Sequence, residues 1–185
     1  MRVIAGKYRG RKLKSPPSIQ TRPTSDRLRE TLFNILAPRI EGTRFLDLCA
    51  GTGAVGIEAL SRGAARVVFV DRSRRMSALV AANVESLEVT DTITEIVTAE
   101  GLEFLRRHTK HQAEAFDIIF FDPPYAEDYE AVLGFIGEYA AEILRTDGIV
   151  IVEHHKKKQL SDEPPLKRYR ELKQGDSVLS FFRVA

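Results

Sequence analysis

The chain of 185 residues contains no tryptophan, two methionines and one cysteine, Cys49. A single cysteine excludes an internal disulfide and points to a reducing setting rather than a disulfide-stapled scaffold. No apolar run approaches the roughly 20 residues that a bilayer span requires. The first residues also lack the apolar stretch of a signal segment. A cytoplasmic protein without a membrane partner is therefore expected. Metal-ligand spacing is missing too: His154-His155 has no further Cys, His or acidic partners in register, so no metal is expected.

Apolar residues make up 43% of the sequence and charged residues 29%, which suits one folded domain with a small appendage. The net charge of +2 hides an asymmetry. Residues 1–39 hold ten Lys/Arg and two Asp/Glu, whereas residues 40–185 hold 18 and 24. A basic extension (1–39) on an acidic body (40–185) suggests a polyanion partner, although a solvated tail has the same composition.

The extension reads as a hairpin over Arg2–Lys14, with Val3-Ile4-Ala5 and Arg11-Lys12-Leu13 flanking a turn at Gly6 and Gly10. Pro16, Pro17 and Pro23 mark an extended stretch, and a helix starts at Thr24-Ser25-Asp26 and stops before Pro38. Beyond residue 43, apolar runs at 45–49, 67–70, 93–97, 116–121 and 149–152 alternate with helical patterns at 54–62, 74–87, 101–108 and 129–145. Apolar runs without alternation are what a parallel sheet covered on both faces needs. A doubly wound α/β sheet follows, closed by a hairpin of 167–173 and 177–184 at its edge.

The stretch Phe45–Gly56, FLDLCAGTGAVG, predicts a strand, a glycine turn and a helix start. Ligands in such sheets bind beyond the carboxyl ends of the strands. Read alone, Gly51-x-Gly53-x-x-Gly56 also matches a dinucleotide fingerprint, with Asp71 at the next strand end as a ribose partner. Asp47 favours a different ligand. Its charge would repel a pyrophosphate, but it suits the cationic methionine end of S-adenosylmethionine. Glu100, after the third strand, is a weaker candidate for the adenine edge.

Asp122-Pro123-Pro124-Tyr125 ends the fourth strand. An exocyclic amine on a nucleobase is a poor nucleophile, because its lone pair is delocalised into the ring. The Asp122 carboxylate and the Pro123 carbonyl can hold its two N–H groups and aim the lone pair at a methyl donor. The prolines keep the loop rigid, and Tyr125 can stack on the base. A base within a duplex must be flipped out to reach such a pocket. Hydride transfer has no need of this motif. Glu153 at the fifth strand end could line the pocket or be structural, and Lys156-Lys157-Lys158 reads as a solvated loop.

Arg2–Leu13 (RVIAGKYRGRKL), Arg22–Leu36 (RPTSDRLRETLFNIL), Asp47–Ala64 and Asp122–Tyr125 together resemble the bacterial RsmD family of 16S ribosomal RNA guanine-N2 methyltransferases. The Arg-Pro-Thr segment separates that family from other amine methyltransferases, and the likeness weakens after residue 155. The resemblance implies a Rossmann-like class I methyltransferase with a seven-stranded, mostly parallel sheet, a C-terminal antiparallel hairpin and a small N-terminal hairpin/helix extension. It implies S-adenosylmethionine as donor and 16S rRNA, within the assembling 30S subunit, as partner of a monomeric enzyme.

The candidate donor-binding set is then Asp47, Ala50, Gly51, Thr52, Gly53, Asp71, Arg72, Glu100 and Gly101. The catalytic set is Asp122, Pro123, Pro124 and Tyr125. Arg9, Arg11, Lys12, Arg22, Thr24 and Arg29 are the RNA-contacting candidates; for Arg22, Thr24 and Arg29 the structural alternative is that Arg22-Pro-Thr caps the first helix and pairs with the acidic body. One departure is Asp71, where the family often has Glu. An adenine-N6 methyltransferase and a non-catalytic RNA-binding assembly factor remain the alternatives. A protein glutamine methyltransferase ranks lower, because it usually carries Asn where Asp122 stands.

Overall fold

A computed structural model describes residues 1–16, 25–89, 91–124 and 128–185. Helix α1 (Asp26–Leu36) starts where Ser25 Oγ accepts the Leu28 N–H, an N-cap that satisfies one orphan donor. It is followed by β1 (Arg44–Leu48), α2 (Ala54–Ser61), β2 (Arg66–Asp71), α3 (Arg74–Ser86), β3 (Thr94–Thr98), α4 (Gly101–Lys110) and β4 (Phe116–Phe121). The chain ends with α5 (Tyr129–Glu138), α6 (Ala140–Ile143), β5 (Leu144–His155), β6 (Leu166–Gln174) and β7 (Ser177–Val184).

The seven strands form one sheet in the order β3-β2-β1-β4-β5-β7-β6. Strands β1 to β5 run parallel, and β7 is antiparallel to both β5 and β6. This is the doubly wound parallel sheet with a C-terminal hairpin at one edge that the sequence pattern predicts, and it has the seven strands that the family resemblance implies. The strand order reverses at β1 and β4, so their carboxyl tips flank the crevice where a ligand sits in such folds.

Two apolar layers cover the sheet. Residues of α1, α2 and α3 pack on one face with Phe45, Val67, Phe69 and Ile151. Residues of α4, α5 and α6 pack on the other with Leu46, Val68, Ile119 and Val150. Neighbouring residues of one strand thus enter opposite layers, and both positions must be apolar. The helical pattern predicted over 129–145 forms two helices with a break at Tyr139, and β5 begins at Leu144, earlier than predicted. Gly134 and Gly137 lower the helix propensity just before that break.

The N-terminal extension packs against α2, and Val3, Tyr8 and Leu13 join the first apolar layer. Its two arms pair as a short hairpin around a bridge between Arg2 and Lys12, with the Val3 N–H donating to the Arg11 carbonyl at 3.0 Å and the Leu13 N–H to the Met1 carbonyl at 3.1 Å. A buried carboxylate ties this hairpin to α2. Glu58, on α2 and fully buried, accepts the Ile4 N–H at 2.8 Å and the Ala5 N–H at 3.0 Å. Arg62 Nε also donates to Glu58 at 2.8 Å, and Arg29 Nε lies 3.8 Å from it. Arg29 is itself fully buried and donates to the Arg2 carbonyl and to Asp26.

Removing one partner from a buried ion pair leaves an uncompensated charge. Glu58→Ala should therefore cost about 3–5 kcal/mol in denaturant unfolding. Glu95→Ala removes a half-exposed ion pair with Arg66 and should cost less than about 1 kcal/mol. Equal losses for the two variants would show that Glu58 does not organise the extension.

Candidate methyl-donor and amine site

The site begins where β1 turns into α2. Cys49 closes that strand with φ +68°, a left-handed backbone that a residue with a Cβ adopts at a cost of about 1–2 kcal/mol. Gly53, with φ +77°, starts α2. A Cβ on Gly56 would come within 2.3 Å of the Phe69 ring, so only glycine lets α2 lie this close to β2.

Two carboxylates shape the loop from below. Asp47 Oδ2 accepts the Gly56 N–H at 2.8 Å. Asp71 accepts the Gly51 N–H through one oxygen and the Ser73 N–H through the other, both at 2.8 Å. Ala50 N donates to the Val70 carbonyl at 2.9 Å, which joins the loop to the β2 tip. The space above Gly51 is open, with no atom within 4 Å of a Cβ placed there. Arg72 and Glu100 stand at the tips of β2 and β3 as a solvent-exposed ion pair at 3.9 Å. Gly101 follows as the first residue of α4 and lies against Leu48.

Parallel register brings a second group together. Leu48 of β1 is level with Phe121 of β4, which is level with Val152 of β5. The next residue along β4 is Asp122, whose N–H donates to the Leu48 carbonyl at 3.3 Å. Glu153 follows Val152 on β5 and is buried. Burial raises the Asp122 carboxyl well above the usual carboxylate range, and the charges of Glu153 and then Asp47 raise it further. Burial also pushes Asp47 up to about 7, against the Gly56 hydrogen bond that favours its ionised form. Acids from β1, β4 and β5 thus lie near one another, Asp47 and Glu153 buried and Asp122 half-buried. Such a group resists ionisation when alone and welcomes a cation.

Pro123 is buried and Pro124 exposed. The Pro123 carbonyl accepts from the Tyr129 hydroxyl at 3.5 Å. Tyr129, at the start of α5, is a neighbour that motif reading missed; its signal was an aromatic residue four positions after the motif. A carbonyl carries two lone pairs, so Pro123 retains capacity for a second donor. Tyr125 lies outside the described residues.

On the basic side, Arg9, Arg11 and Lys12 are exposed. The Arg11 guanidinium donates to the Ser86 carbonyl at the end of α3. A groove of about 340 Å³ between the extension and α1 is lined by Arg2, Arg9 and Arg27, with Asp26 and Glu30. Arg29 is a correction. It was an RNA-contacting candidate, but its guanidinium is fully buried against Glu58 and Asp26, which supports the ion-pairing alternative. Arg22 and Thr24 lie outside the described residues. Lys156 and Lys158 are tied to Asp176 and Glu130. His154 is turned inward, with Nε2 2.9 Å from Ser180 Oγ. Among the described residues, no group of three His, Cys, Asp or Glu could hold a metal ion, and no helix is long and apolar enough to cross a membrane.

The raised Asp47 carboxyl carries a signed prediction. Between pH about 4 and 7 the folded chain holds a proton at Asp47 that the unfolded chain has released. This contribution to stability is complete below the ordinary carboxylate pKa and is lost as pH rises through about 7. Asp47→Asn should therefore flatten the fall in melting temperature between pH 5 and 8 and leave the variant more stable than wild type at pH 8. Parallel pH profiles for the two proteins would refute the assignment.

Comparison with known proteins agrees with the geometry. A family model described as conserved hypothetical protein 95 matches residues 1–183. The chain is 35% identical over 161 residues to ribosomal RNA small subunit methyltransferase D of Haemophilus influenzae, covering 86% of this chain and 81% of that protein. It is 42% identical over 126 residues to the Escherichia coli K12 protein of the same name, covering 68% and 60%. The solved structure of Escherichia coli yhhF superposes with a TM-score of 0.85 at 30% identity, covering 100% of this chain and 97% of that one. The chain belongs to the conserved hypothetical protein 95 family and is a methyltransferase of the RsmD type.

Proposed function

We propose that this protein transfers a methyl group from S-adenosylmethionine to the exocyclic N2 amine of a guanine in 16S ribosomal RNA, acting on the assembling small subunit. The observation that carries the reading is Asp122-Pro123 at the β4 tip, level with the donor loop of β1 and beside Glu153. The relatives named ribosomal RNA small subunit methyltransferase D support the RNA substrate.

The donor, when bound, supplies an electrophilic methyl on a positively charged sulfur. The open space above Gly51 and the acids at Asp47 and Asp71 suit it. Asp47 would balance the cationic methionine end, and Asp71 would accept from the ribose hydroxyls. Arg72, Glu100 and Gly101, at the neighbouring strand tips, would border the adenosine. Asp122 would accept one N–H of the guanine amine and the Pro123 carbonyl the other. Held this way, the nitrogen loses conjugation with the ring and its lone pair points at the methyl. As the C–N bond forms and the C–S bond breaks, the amine becomes cationic and the Asp122 carboxylate stabilises it. The released proton passes to Asp122 or to water. Tyr125 would stack on the extruded base. Arg9, Arg11 and Lys12 would hold phosphates, with Arg22 and Thr24 at the entrance.

Incubation with labelled donor and small-subunit particles lacking this modification, followed by nucleoside digestion, should yield N2-methylguanosine. N6-methyladenosine instead would overturn the substrate assignment. Asp122→Ala should retain donor binding and lose about 10²-fold or more in transfer rate; undiminished turnover would remove Asp122 from the amine. Replacing Arg9, Arg11 and Lys12 with alanine should flatten the slope of log affinity for RNA against log salt by up to about 2–3 units. An unchanged slope would return the extension to a purely structural role.

A further inference from the structure

We propose that Asn83 couples the N-terminal extension to the methyl-donor loop, making it a positioning residue through which donor and RNA reinforce each other's binding. The proposal rests on the donor reading above and adds a mechanism of regulation to that site.

Asn83 lies on the inward face of α3, in line with Ser77, Val80 and Val84, and is fully buried. Its side-chain amide bonds to the backbone of two other segments. Oδ1 accepts the Lys14 N–H at 2.7 Å. Nδ2 donates to the Lys14 carbonyl at 3.2 Å and to the Thr52 carbonyl at 3.0 Å. Lys14 ends the second arm of the extension, and Thr52 is the middle residue of the donor loop. A buried amide whose bonds all leave its own helix acts as a joint between the segments it holds.

Four features make Thr52 responsive. Gly51 and Gly53 on either side have positive φ, so Thr52 sits in a turn outside any strand or helix. Thr52 Oγ1 also lies 3.7 Å from Met1 Sδ, so the extension meets Thr52 directly as well as through Asn83. The Leu13 N–H donates to the Met1 carbonyl, which joins the two arms into one body. Arg11 binds Ser86 one turn further along α3, seating that body on the helix that carries Asn83. Ordering the donor loop therefore fixes the Thr52 carbonyl, then the Asn83 amide, then Lys14. By linkage the effect runs equally in reverse: an extension clamped by RNA favours the donor-ready loop.

Hydrogen–deuterium exchange of the full chain with and without S-adenosylhomocysteine tests this. In the wild type, the ligand should slow exchange over residues 50–56 and also over residues 8–14, by roughly five-fold or more in the second segment. In Asn83→Ala, residues 50–56 should still be protected while the response of residues 8–14 falls sharply, to what the Met1 contact alone carries. Asn83→Asp keeps the acceptor for the Lys14 N–H but loses both donations, and it should behave like the alanine variant. In turnover assays, Asn83→Ala should raise the KM for donor and RNA together more than it lowers kcat. Wild-type protection confined to residues 50–56 would overturn the coupling even if the alanine variant failed to fold. Full transmission in Asn83→Ala would overturn it as well. Absence of any protection at residues 50–56 would instead remove the donor reading, and the coupling with it.

Discussion

The position of the extension depends on one buried carboxylate. Glu58 lies at the middle of α2, out of contact with solvent, and meets two backbone amides of the extension and two arginines. A charge in such a place is tolerated only when its lone pairs are filled. The Ile4 and Ala5 amides help to fill them, which holds the extension against α2. Arg29 balances the same charge from α1. The extension, α1 and α2 are thereby held around one ion. Because α2 also begins at the donor loop, the basic surface and the reaction site share a foundation.

The acids at the strand tips follow a different rule. Asp47 and Asp71 accept backbone N–H groups and so determine where the loop lies. Asp122 and Glu153 are brought level by the register of β4 and β5, and burial together with the Glu153 charge makes ionisation of Asp122 difficult. Negative charge concentrated among largely buried groups is unfavourable when alone. It becomes favourable when a cation enters, and in the proposed transfer from a sulfonium to an amine positive charge would pass through this position. The same arrangement would repel a dinucleotide pyrophosphate, which agrees with the family to which the chain belongs.

Much of this was legible in the residues. Short apolar runs separated by helical patterns specify a parallel sheet with two covered faces, and the sheet has that form. The turn at Gly51–Gly56 and the strand-end position of Asp122 follow from local sequence, because backbone freedom and strand length are local properties. Arg29 shows where such reading stops. In sequence it is one basic residue of a basic extension, next to the Arg-Pro-Thr segment. In space its guanidinium faces Glu58, 29 residues away, and it is buried. Asn83 went unread for the same reason, since its partners Lys14 and Thr52 are joined to it by packing and not by spacing.

The sequence by itself determined the order and type of the elements, the place of the glycine turn, and the chemistry available at Asp122-Pro123. These depend on periodicity, torsional freedom and functional groups, all of which the chain carries locally. Only the tertiary structure decided which charges are buried, which acids stand level across β1, β4 and β5, and which amides of the extension meet Glu58. Those outcomes depend on desolvation and on register between distant segments, and neither exists until the sheet and its two layers have formed.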